Sequence, residues 1–166
     1  MGANIEIKAR ARDWAAQRAK ALALADSVER LVQTDTFFNI SNGRLKLREQ
    51  KGGGDYLIFY RRPDGKGPKA STYTLLPLKG PARTRRALAR LLGALKTVRK
   101  RRLVCHAGRT RIHLDEVSGL GRSLELEVVL KPGESPAKGR REAAALMKAL
   151  GIRRSDLVAG AYADLL

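Results

Sequence analysis

The sequence predicts an α+β fold in which antiparallel strands have one charged face and one apolar face, with amphipathic helices packed beside them. Several segments alternate charged and apolar residues with a period of two, which is the pattern of half-buried strands. Short turn sequences containing Gly separate these segments. Other segments begin with helix-start residues and continue with apolar residues at helical spacing.

The first half of the chain is predicted to contain five strands and one helix. Residues 3–12 alternate strictly and place Glu6, Lys8, Arg10 and Arg12 on one face. Asp13 is the expected N-cap of an alanine-rich helix that continues to about residue 25. Four more strands are expected, joined by turns that contain Gly, at residues 28–40, 44–48, 56–62 and 69–78.

The second half is predicted to contain two longer helices, three strands and a short terminal helix. Pro81 suits the first turn of a helix that is expected to end near Leu95. Strands are expected at residues 98–106, 110–117 and 123–130, followed by a helix from Pro136 to about Leu150 and a short helix within 155–165. No linker, repeat or low-complexity block interrupts the chain, so residues 1–166 are expected to form a single domain.

Composition narrows the classes of partner. The chain has 34 Lys and Arg against 16 Asp and Glu, which gives a net charge of +18. Such an excess favours a polyanionic partner, namely a nucleic acid, a membrane surface or a phosphorylated small molecule. The sequence has no apolar run of membrane-spanning length and no apolar N-terminal leader. The single Cys105 fits a reducing compartment, so the predicted location is cytoplasmic, with no membrane partner.

The charged face of the strands suggests a site. Either a sheet turns this face to water, or the sheet closes into a barrel with the charges lining its lumen. About ten cations on one face repel each other unless an anion compensates them. The acids on that face, Glu6, Asp115, Glu125 and Glu127, are suited to a hard divalent cation such as Mg²⁺ or Mn²⁺. A metal-bound polyphosphate is the ligand that this combination predicts.

Three other motifs carry weaker signals. His106 and His113 do not form a metal-ligand spacing with Cys105, and each is interpreted as structural. Cys105 has no identifiable base that would make it a nucleophile. The run Gly52-Gly53-Gly54 lacks the Lys-Ser/Thr of a phosphate-binding loop and is interpreted as a hairpin turn.

The sequence resembles the CYTH family, which unites class IV adenylyl cyclases with thiamine triphosphatases and other triphosphate tunnel enzymes. Six segments in the family's order carry the resemblance. They are Asn4-Ile5-Glu6-Ile7-Lys8, Gly43-Arg44-Leu45-Lys46-Leu47-Arg48, Tyr60-Arg61-Arg62-Pro63, Lys100-Arg101-Arg102, Arg111-Ile112-His113-Leu114-Asp115 and Leu124-Glu125-Leu126-Glu127. A final stretch, Ala161-Tyr162-Ala163-Asp164-Leu165, extends the similarity nearly to the end of the chain.

The resemblance implies a closed or nearly closed antiparallel β-barrel of about eight strands that forms a tunnel, with helices outside. It implies a triphosphate grip made of basic side chains, which here are Lys8, Arg10, Arg44, Lys46, Arg48, Arg62, Lys69, Lys100, Arg102 and Arg111. It implies that Mg²⁺ or Mn²⁺ is held by Glu6, Glu125 and Glu127 with Asp115 nearby, and that Glu6, Lys8, Glu125 and Glu127 take part in catalysis. Asn4 replaces the first Glu of the family motif, which lowers the expected charge at the metal site.

The resemblance leaves two reactions open. One is cyclisation of ATP to cyclic AMP and pyrophosphate, and the other is hydrolysis of an organic triphosphate, such as thiamine triphosphate, or of inorganic tripolyphosphate. Both reactions use the same grip on the phosphates, because phosphoryl transfer depends mainly on positioning and charge neutralisation. A non-catalytic protein that binds polyphosphate, nucleotide or RNA is the alternative from another class, and a homodimer is compatible with either reading.

Overall fold

The computed structural model describes residues 1–166, which form eight strands and four α-helices. The strands are β1 (Gly2–Arg10), β2 (Ser27–Phe38), β3 (Arg44–Lys51), β4 (Asp55–Arg61), β5 (Lys69–Leu78), β6 (Ala94–Ala107), β7 (Thr110–Val117) and β8 (Gly121–Val129). The helices are α1 (Trp14–Leu24), α2 (Pro81–Leu92), α3 (Pro136–Leu150) and α4 (Tyr162–Leu165), and a 3₁₀ turn spans Arg154–Asp156. None of the helices is both long enough and apolar enough to span a bilayer.

The eight strands form a closed antiparallel barrel in the order β1-β5-β4-β3-β2-β6-β7-β8. Closure occurs because β1 pairs with β5 on one side and with β8 on the other. The longest ladder joins β2 to β6, from Ser27 opposite His106 to Phe38 opposite Ala94. The predicted α+β barrel is therefore confirmed, and the open-sheet alternative is wrong.

The main hydrophobic core lies outside the barrel, between its wall and the helices. Many inward positions of the strands are charged or polar, and most apolar positions of β1, β6, β7 and β8 face outward, where α1 and α3 cover them. Ile7, Ile112 and Leu126 pack there with Ala21 of α1 and Leu150 of α3. Helix α3 approaches the barrel closely, because a Cβ at Gly139 would lie 2.7 Å from side-chain atoms of Ile5 and Leu130.

The predicted helix from Pro81 is shorter than expected. It ends at Leu92, because Gly93 takes a positive φ of 78° and breaks the helix, and β6 begins at Ala94. Leu95 therefore belongs to a strand and is 61% exposed, while Leu91 on the helix is 79% exposed. No residue of α2 is fully buried, so its contacts with β2, β3 and β6 cover its apolar face only in part.

The boundaries of the other helices and strands agree with those predicted from the sequence or differ from them by a few residues. Asp13 caps α1 by accepting a hydrogen bond from the Ala16 N–H at 3.0 Å, as predicted. β1 ends at Arg10, so Arg12 leaves the strand and pairs with Asp156. The short helix predicted within 155–165 is present only as α4, at the end of that range, and a separate 3₁₀ turn precedes it at Arg154–Asp156.

Candidate active site

The barrel encloses a cavity of about 350 Å³ that is lined by inward side chains from all eight strands. One end of this cavity is closed by the segment Gly160–Tyr162. The Gly160 carbonyl accepts hydrogen bonds from Lys8 Nζ at 3.2 Å and from Arg62 Nη2 at 2.8 Å. The Lys8 ammonium also lies 3.9 Å from the centre of the Tyr162 ring, which is a cation–π contact.

One side of the cavity is basic. We call Lys46 and Arg48 of β3 together with Lys100 and Arg102 of β6 the basic wall; all four line the cavity. Between them, on β2, lies the buried carboxylate of Asp35. It accepts hydrogen bonds from Lys46 Nζ at 3.1 Å, from Arg48 Nε and Nη2 at 2.7 Å each, and from Lys100 Nζ at 2.7 Å.

The buried charges of the basic wall perturb each other's pKa values. Burial by itself would raise the pKa of Asp35, but its three cationic partners hold the pKa well below the usual range. Burial lowers the pKa of Lys100 to about 7; Asp35 opposes this shift, while Arg48, Arg102 and Lys46 add to it. Asp35 therefore helps to keep a crowded group of cations charged.

Arg102 is held by acids from both sides. Its guanidinium donates to the two carboxylate oxygens of Asp115 at 2.6 and 2.5 Å and to Glu125 Oε2 at 2.6 Å. Asp115 is fully buried and also accepts a hydrogen bond from the Tyr162 hydroxyl at 2.8 Å. The Asp115 carboxylate is thus engaged in orienting Arg102 and Tyr162.

The opposite side of the cavity is acidic. We call Glu6 of β1, His113 of β7 and Glu125 and Glu127 of β8 the acidic wall. Donor atoms of His113, Glu125 and Glu127 lie within 4.8 Å of one another. His113 Nδ1 is 3.5 Å from Glu125 Oε2 and 3.9 Å from Glu127 Oε1.

Each carboxylate of the acidic wall also has a cationic neighbour. Glu6 pairs with Arg62, Glu125 with Lys8 at 3.2 Å, and Glu127 with Arg111 Nη2 at 2.7 Å. Burial nevertheless raises the pKa of Glu6 against the effect of Arg62, and Glu125 and Glu127 raise it further. Glu6 therefore lies where another positive charge would be stabilising.

The acidic wall fits a divalent cation. His113 is 4% exposed, yet its Nδ1 has no hydrogen-bond partner. Burial lowers the pKa of His113, and Arg102 lowers it further, which favours the neutral imidazole that can ligate a metal. Asn4 Oδ1 is likewise buried without a partner and lines the same cavity. A buried nitrogen lone pair beside two carboxylates is a donor set for a cation.

The family model for the CYTH domain matches residues 2–162. This chain belongs to the CYTH family. No curated protein matches the chain at a significant level. Solved structures share the fold at low sequence identity. The PH1012 protein of Pyrococcus horikoshii OT3 is 21% identical with a TM-score of 0.85, and the alignment covers 98% of this chain and 99% of that one.

Two other similar structures have descriptions that refer to an activity. One is a candidate adenylate cyclase from Vibrio parahaemolyticus, 19% identical with a TM-score of 0.80, over 98% of this chain and 96% of that one. The other is HpAC1 from Hippeastrum, described with a dominant triphosphatase activity, 16% identical with a TM-score of 0.64, over 92% of this chain and 89% of that one. At these identities the likeness shows that the CYTH barrel is shared.

The CYTH barrel brings most of the sequence-predicted site residues together. The residues that line its cavity are Glu6, Lys8, Lys46, Arg48, Arg62, Lys100, Arg102, Arg111, Glu125 and Glu127. Four predicted residues do not line it. Asp115 is buried behind Arg102, and Arg10 is exposed at the end of β1. Arg44 pairs with Asp64 and Asp164, and Lys69 donates to the Gly65 carbonyl at 2.6 Å.

Three cavity residues were not predicted to have a role in the site: Asp35, His113 and Tyr162. Alternation already placed His113 on the same face as Arg111 and Asp115, but it was interpreted as structural. Asp35 lies in a predicted strand, and counting the alternation there would have placed it inside. Tyr162 comes from the tail, and no strand periodicity marks it.

The cavity is less basic than the predicted charged face of the strands, which carried many more cations than acids. Seven Lys and Arg and five Asp and Glu side chains line the CYTH cavity, so the lining contributes +2 to the net charge of +18. Asp35 and Glu29 are the two acids that the sequence analysis did not place there. Buried like charges are stable only when opposite charges are packed among them, which accounts for the balance.

Proposed function

We propose that this CYTH protein is a metal-dependent enzyme that acts on a triphosphate inside the barrel. One observation carries the proposal: the basic wall and the acidic wall face each other across a single cavity of about 350 Å³. Phosphoryl chemistry needs charge neutralisation and positioning rather than covalent participation by the protein. A cavity with cations on one side and cation ligands on the other supplies both.

The basic wall would grip the phosphates. Arg48 and Arg102 present planar guanidinium groups, which suit bidentate contact with phosphate oxygens. Lys46 and Lys100 add point charges beside them. These cations share the carboxylates of Asp35 and Asp115, so a bound phosphate would meet a preformed group whose positions are already set.

The acidic wall would hold the metal through His113, Glu125 and Glu127, with Glu6 beside them. Held by these residues, a divalent cation would supply positive charge to offset the negative charge of the phosphates. The imidazole nitrogen favours Mn²⁺ over Mg²⁺, because Mg²⁺ strongly prefers oxygen ligands. Asn4 would add a neutral amide oxygen where the family motif has a carboxylate.

Lys8 and Arg62 would hold the end of the phosphate chain nearest the closed end. Lys8 lies between Glu125 and the Gly160 carbonyl, and Arg62 lies between Glu6 and the same carbonyl. Each therefore links one acid of the metal site to the segment that closes the barrel. This position suits cations that orient a phosphate group between the two walls.

Two reactions use this arrangement, and the nucleophile distinguishes them. Hydrolysis uses water and releases phosphate or pyrophosphate; cyclisation uses the ribose 3′-hydroxyl of ATP and releases pyrophosphate. HpAC1 shares the fold and is described with a dominant triphosphatase activity, which supports hydrolysis. The Vibrio protein shares the fold and is described as a candidate adenylate cyclase, which supports cyclisation.

A substrate panel tests the proposal. ATP, GTP, thiamine triphosphate and tripolyphosphate are each incubated with Mg²⁺ or Mn²⁺, and the products are resolved by chromatography. Phosphate release identifies a hydrolase, and cyclic AMP from ATP identifies a cyclase, with higher rates in Mn²⁺ in either case. No product from any substrate with either metal would contradict the enzymatic proposal.

A binding protein for RNA is the second candidate, and the distribution of charge favours it. The cavity lining supplies only +2 of the net charge, so the excess of cations lies elsewhere. Exposed basic residues on α2 and on the outer face of β6 include Arg83, Arg86, Arg90, Arg99 and Arg101. Salt-sensitive binding of mixed-sequence RNA that is tighter than binding of tripolyphosphate would support this alternative.

A further inference from the structure

Helix α2 carries a row of arginines on the side that faces away from the barrel. Arg83, Arg86 and Arg90 are three and four positions apart, which places them on one face of the helix, and all three are exposed. We call these three residues the arginine ridge. The helix contains no acidic residue, and Arg85 is its only arginine with a carboxylate partner, Glu49 at 3.2 Å. The arginine ridge therefore has no counter-ion within the protein.

Two exposed leucines border the arginine ridge. Leu91 directly follows Arg90 and is 79% exposed, and Leu95, just beyond the end of the helix, is 61% exposed. They are the two most exposed leucines of the chain. A row of cationic side chains beside exposed apolar side chains is typical of helices that lie at the surface of an anionic bilayer.

We propose that the arginine ridge, Leu91 and Leu95 dock α2 on the surface of an anionic phospholipid bilayer. The guanidinium groups would contact lipid phosphates, and the two leucines would enter the boundary between headgroups and acyl chains. A nucleic acid also attracts arginines, but its phosphate backbone has no apolar layer in which the leucines could be buried. The leucines therefore favour a lipid surface over RNA.

This contact goes beyond the proposed function, because none of the five residues lines the cavity. A peripheral contact needs no membrane-spanning segment. It would therefore replace the expectation, based on the lack of such a segment, that the protein has no membrane partner.

Helix α3 provides a matched comparison on the opposite side of the barrel. α2 contacts β2, β3 and β6, whereas α3 contacts β1 and β8, which lie across the barrel from β2 and β3. α3 also has three exposed cations that form no ion pair, Arg140, Arg141 and Lys148, but it has no exposed large apolar residue. Neutralising three cations on either helix lowers the net charge of +18 by the same three units.

Two triple variants and two leucine variants form the test. The ridge variant combines Arg83→Gln, Arg86→Gln and Arg90→Gln. The α3 variant combines Arg140→Gln, Arg141→Gln and Lys148→Gln. Leu91→Ser removes one proposed lipid contact, and its control is Leu76→Ser, an exposed leucine on the outer face of β5. All the replaced side chains are exposed, so the fold should stay intact, which circular dichroism and thermal unfolding verify.

Vesicle flotation measures the binding of each protein. The vesicles contain phosphatidylcholine alone or phosphatidylcholine with an equal share of phosphatidylglycerol, and the bound fraction is followed against lipid concentration. Binding of mixed-sequence RNA is measured in parallel. The wild type should bind the vesicles that contain phosphatidylglycerol and should not bind those of phosphatidylcholine alone.

The ridge variant should bind anionic vesicles at least about tenfold more weakly, because each basic residue near an anionic surface adds to the affinity. The α3 variant should stay within about twofold of the wild type, since charges further from the surface than the Debye length of about 8 Å are largely screened. Leu91→Ser should weaken binding by about three- to tenfold, as expected for loss of a buried leucine contact. Leu76→Ser should change nothing.

Three results would overturn the proposal. One is failure of the wild type to bind anionic vesicles. Another is an equal loss in the ridge and α3 variants, which would mean that net charge alone attracts the lipid. The third is vesicle binding that Leu91→Ser does not weaken, together with RNA binding that requires the arginine ridge, which would assign the ridge to a nucleic acid. All three would leave the proposed function of the cavity standing.

Discussion

The basic and acidic walls of the barrel solve the problem of buried charge in different ways. In the basic wall every cation has a carboxylate partner within 3.1 Å, since Lys46, Arg48 and Lys100 share Asp35 and Arg102 uses Asp115 and Glu125. In the acidic wall the carboxylates are paired, but His113 Nδ1 has no partner and the pKa of Glu6 is raised.

The difference shows which interaction each wall can offer a ligand. A phosphate at the basic wall would share cations with Asp35, so its affinity would come from a preformed arrangement rather than from unpaired positive charge. A cation at the acidic wall would meet an unused donor and relieve repulsion among three carboxylates. Changes in the basic wall should therefore affect stability and substrate affinity, and changes in the acidic wall should affect metal binding and turnover.

The largest expected effect is on stability, from Asp35→Asn. Removing this carboxylate leaves the buried Lys100 and the partly buried Lys46 and Arg48 without their common partner, which is expected to lower the free energy of unfolding by about 3–5 kcal/mol. Urea unfolding of the ligand-free protein measures the change. Tripolyphosphate should restore more stability to this variant than to the wild type, because it supplies the missing negative charge. The exposed pair Glu116–Arg101 provides the control, and Glu116→Gln should change stability by less than about 0.5 kcal/mol.

The next largest effect is on turnover, from Glu127→Gln in the acidic wall. Loss of a proposed metal-ligating carboxylate is expected to lower kcat by about 100-fold or more, because charge stabilisation in the site is lost. Calorimetric titration with Mn²⁺ should show weaker metal binding in the same variant. Glu49→Gln, on the outer face of β3, is the control. Wild-type rates and Mn²⁺ affinity in Glu127→Gln would remove the proposed role of this wall.

A smaller effect is expected on substrate affinity, from Arg48→Ala. A charged hydrogen-bonding partner of phosphate contributes about 1.5–3 kcal/mol, so the Kd for tripolyphosphate should rise by about 10- to 100-fold. Arg48→Lys should recover only part of the loss, because Lys lacks the bidentate fork. Arg99→Ala, on the exposed outer face of β6, should leave the Kd unchanged. Equal losses in Arg48→Ala and Arg99→Ala would mean that overall charge, not the basic wall, binds the anion.

The smallest expected effect is a pH dependence of binding that arises from Lys100. Its pKa is lowered to about 7 by burial and by neighbouring cations, so the side chain loses its proton as the pH rises through 7. A bound anion favours the protonated form, so binding should be strongest below pH 7 and weaken by about fivefold between pH 7 and 8, with proton uptake at pH 8. Calorimetry in buffers of different ionisation enthalpy measures that uptake. Lys100→Met should flatten the profile, and an unchanged profile would assign the pH dependence to another group.

The two walls were only partly predictable from sequence. Strand periodicity places Glu125 and Glu127 on one face of β8 and His113 on the same face of β7 as Arg111 and Asp115, because residues alternate between the two faces of each strand. The resemblance assigned Arg10 and Arg44 to the phosphate grip, but neither lines the cavity, since a matching strand face does not fix the level along the barrel. Asp35 becomes a partner of Arg48 only through the β2–β3 register, and no local pattern encodes that register.

The sequence by itself determined which strand faces are charged, where most elements begin and end, and, through its motifs, the family. Tertiary structure alone decided that the sheet closes, because closure depends on β1 meeting both β5 and β8, which are distant along the chain. It also decided the charge balance of the cavity, since desolvation and pairing act between residues brought together by folding. The sequence therefore determines which charged residues are present, and closure of the barrel determines that they lie in a basic wall and an acidic wall.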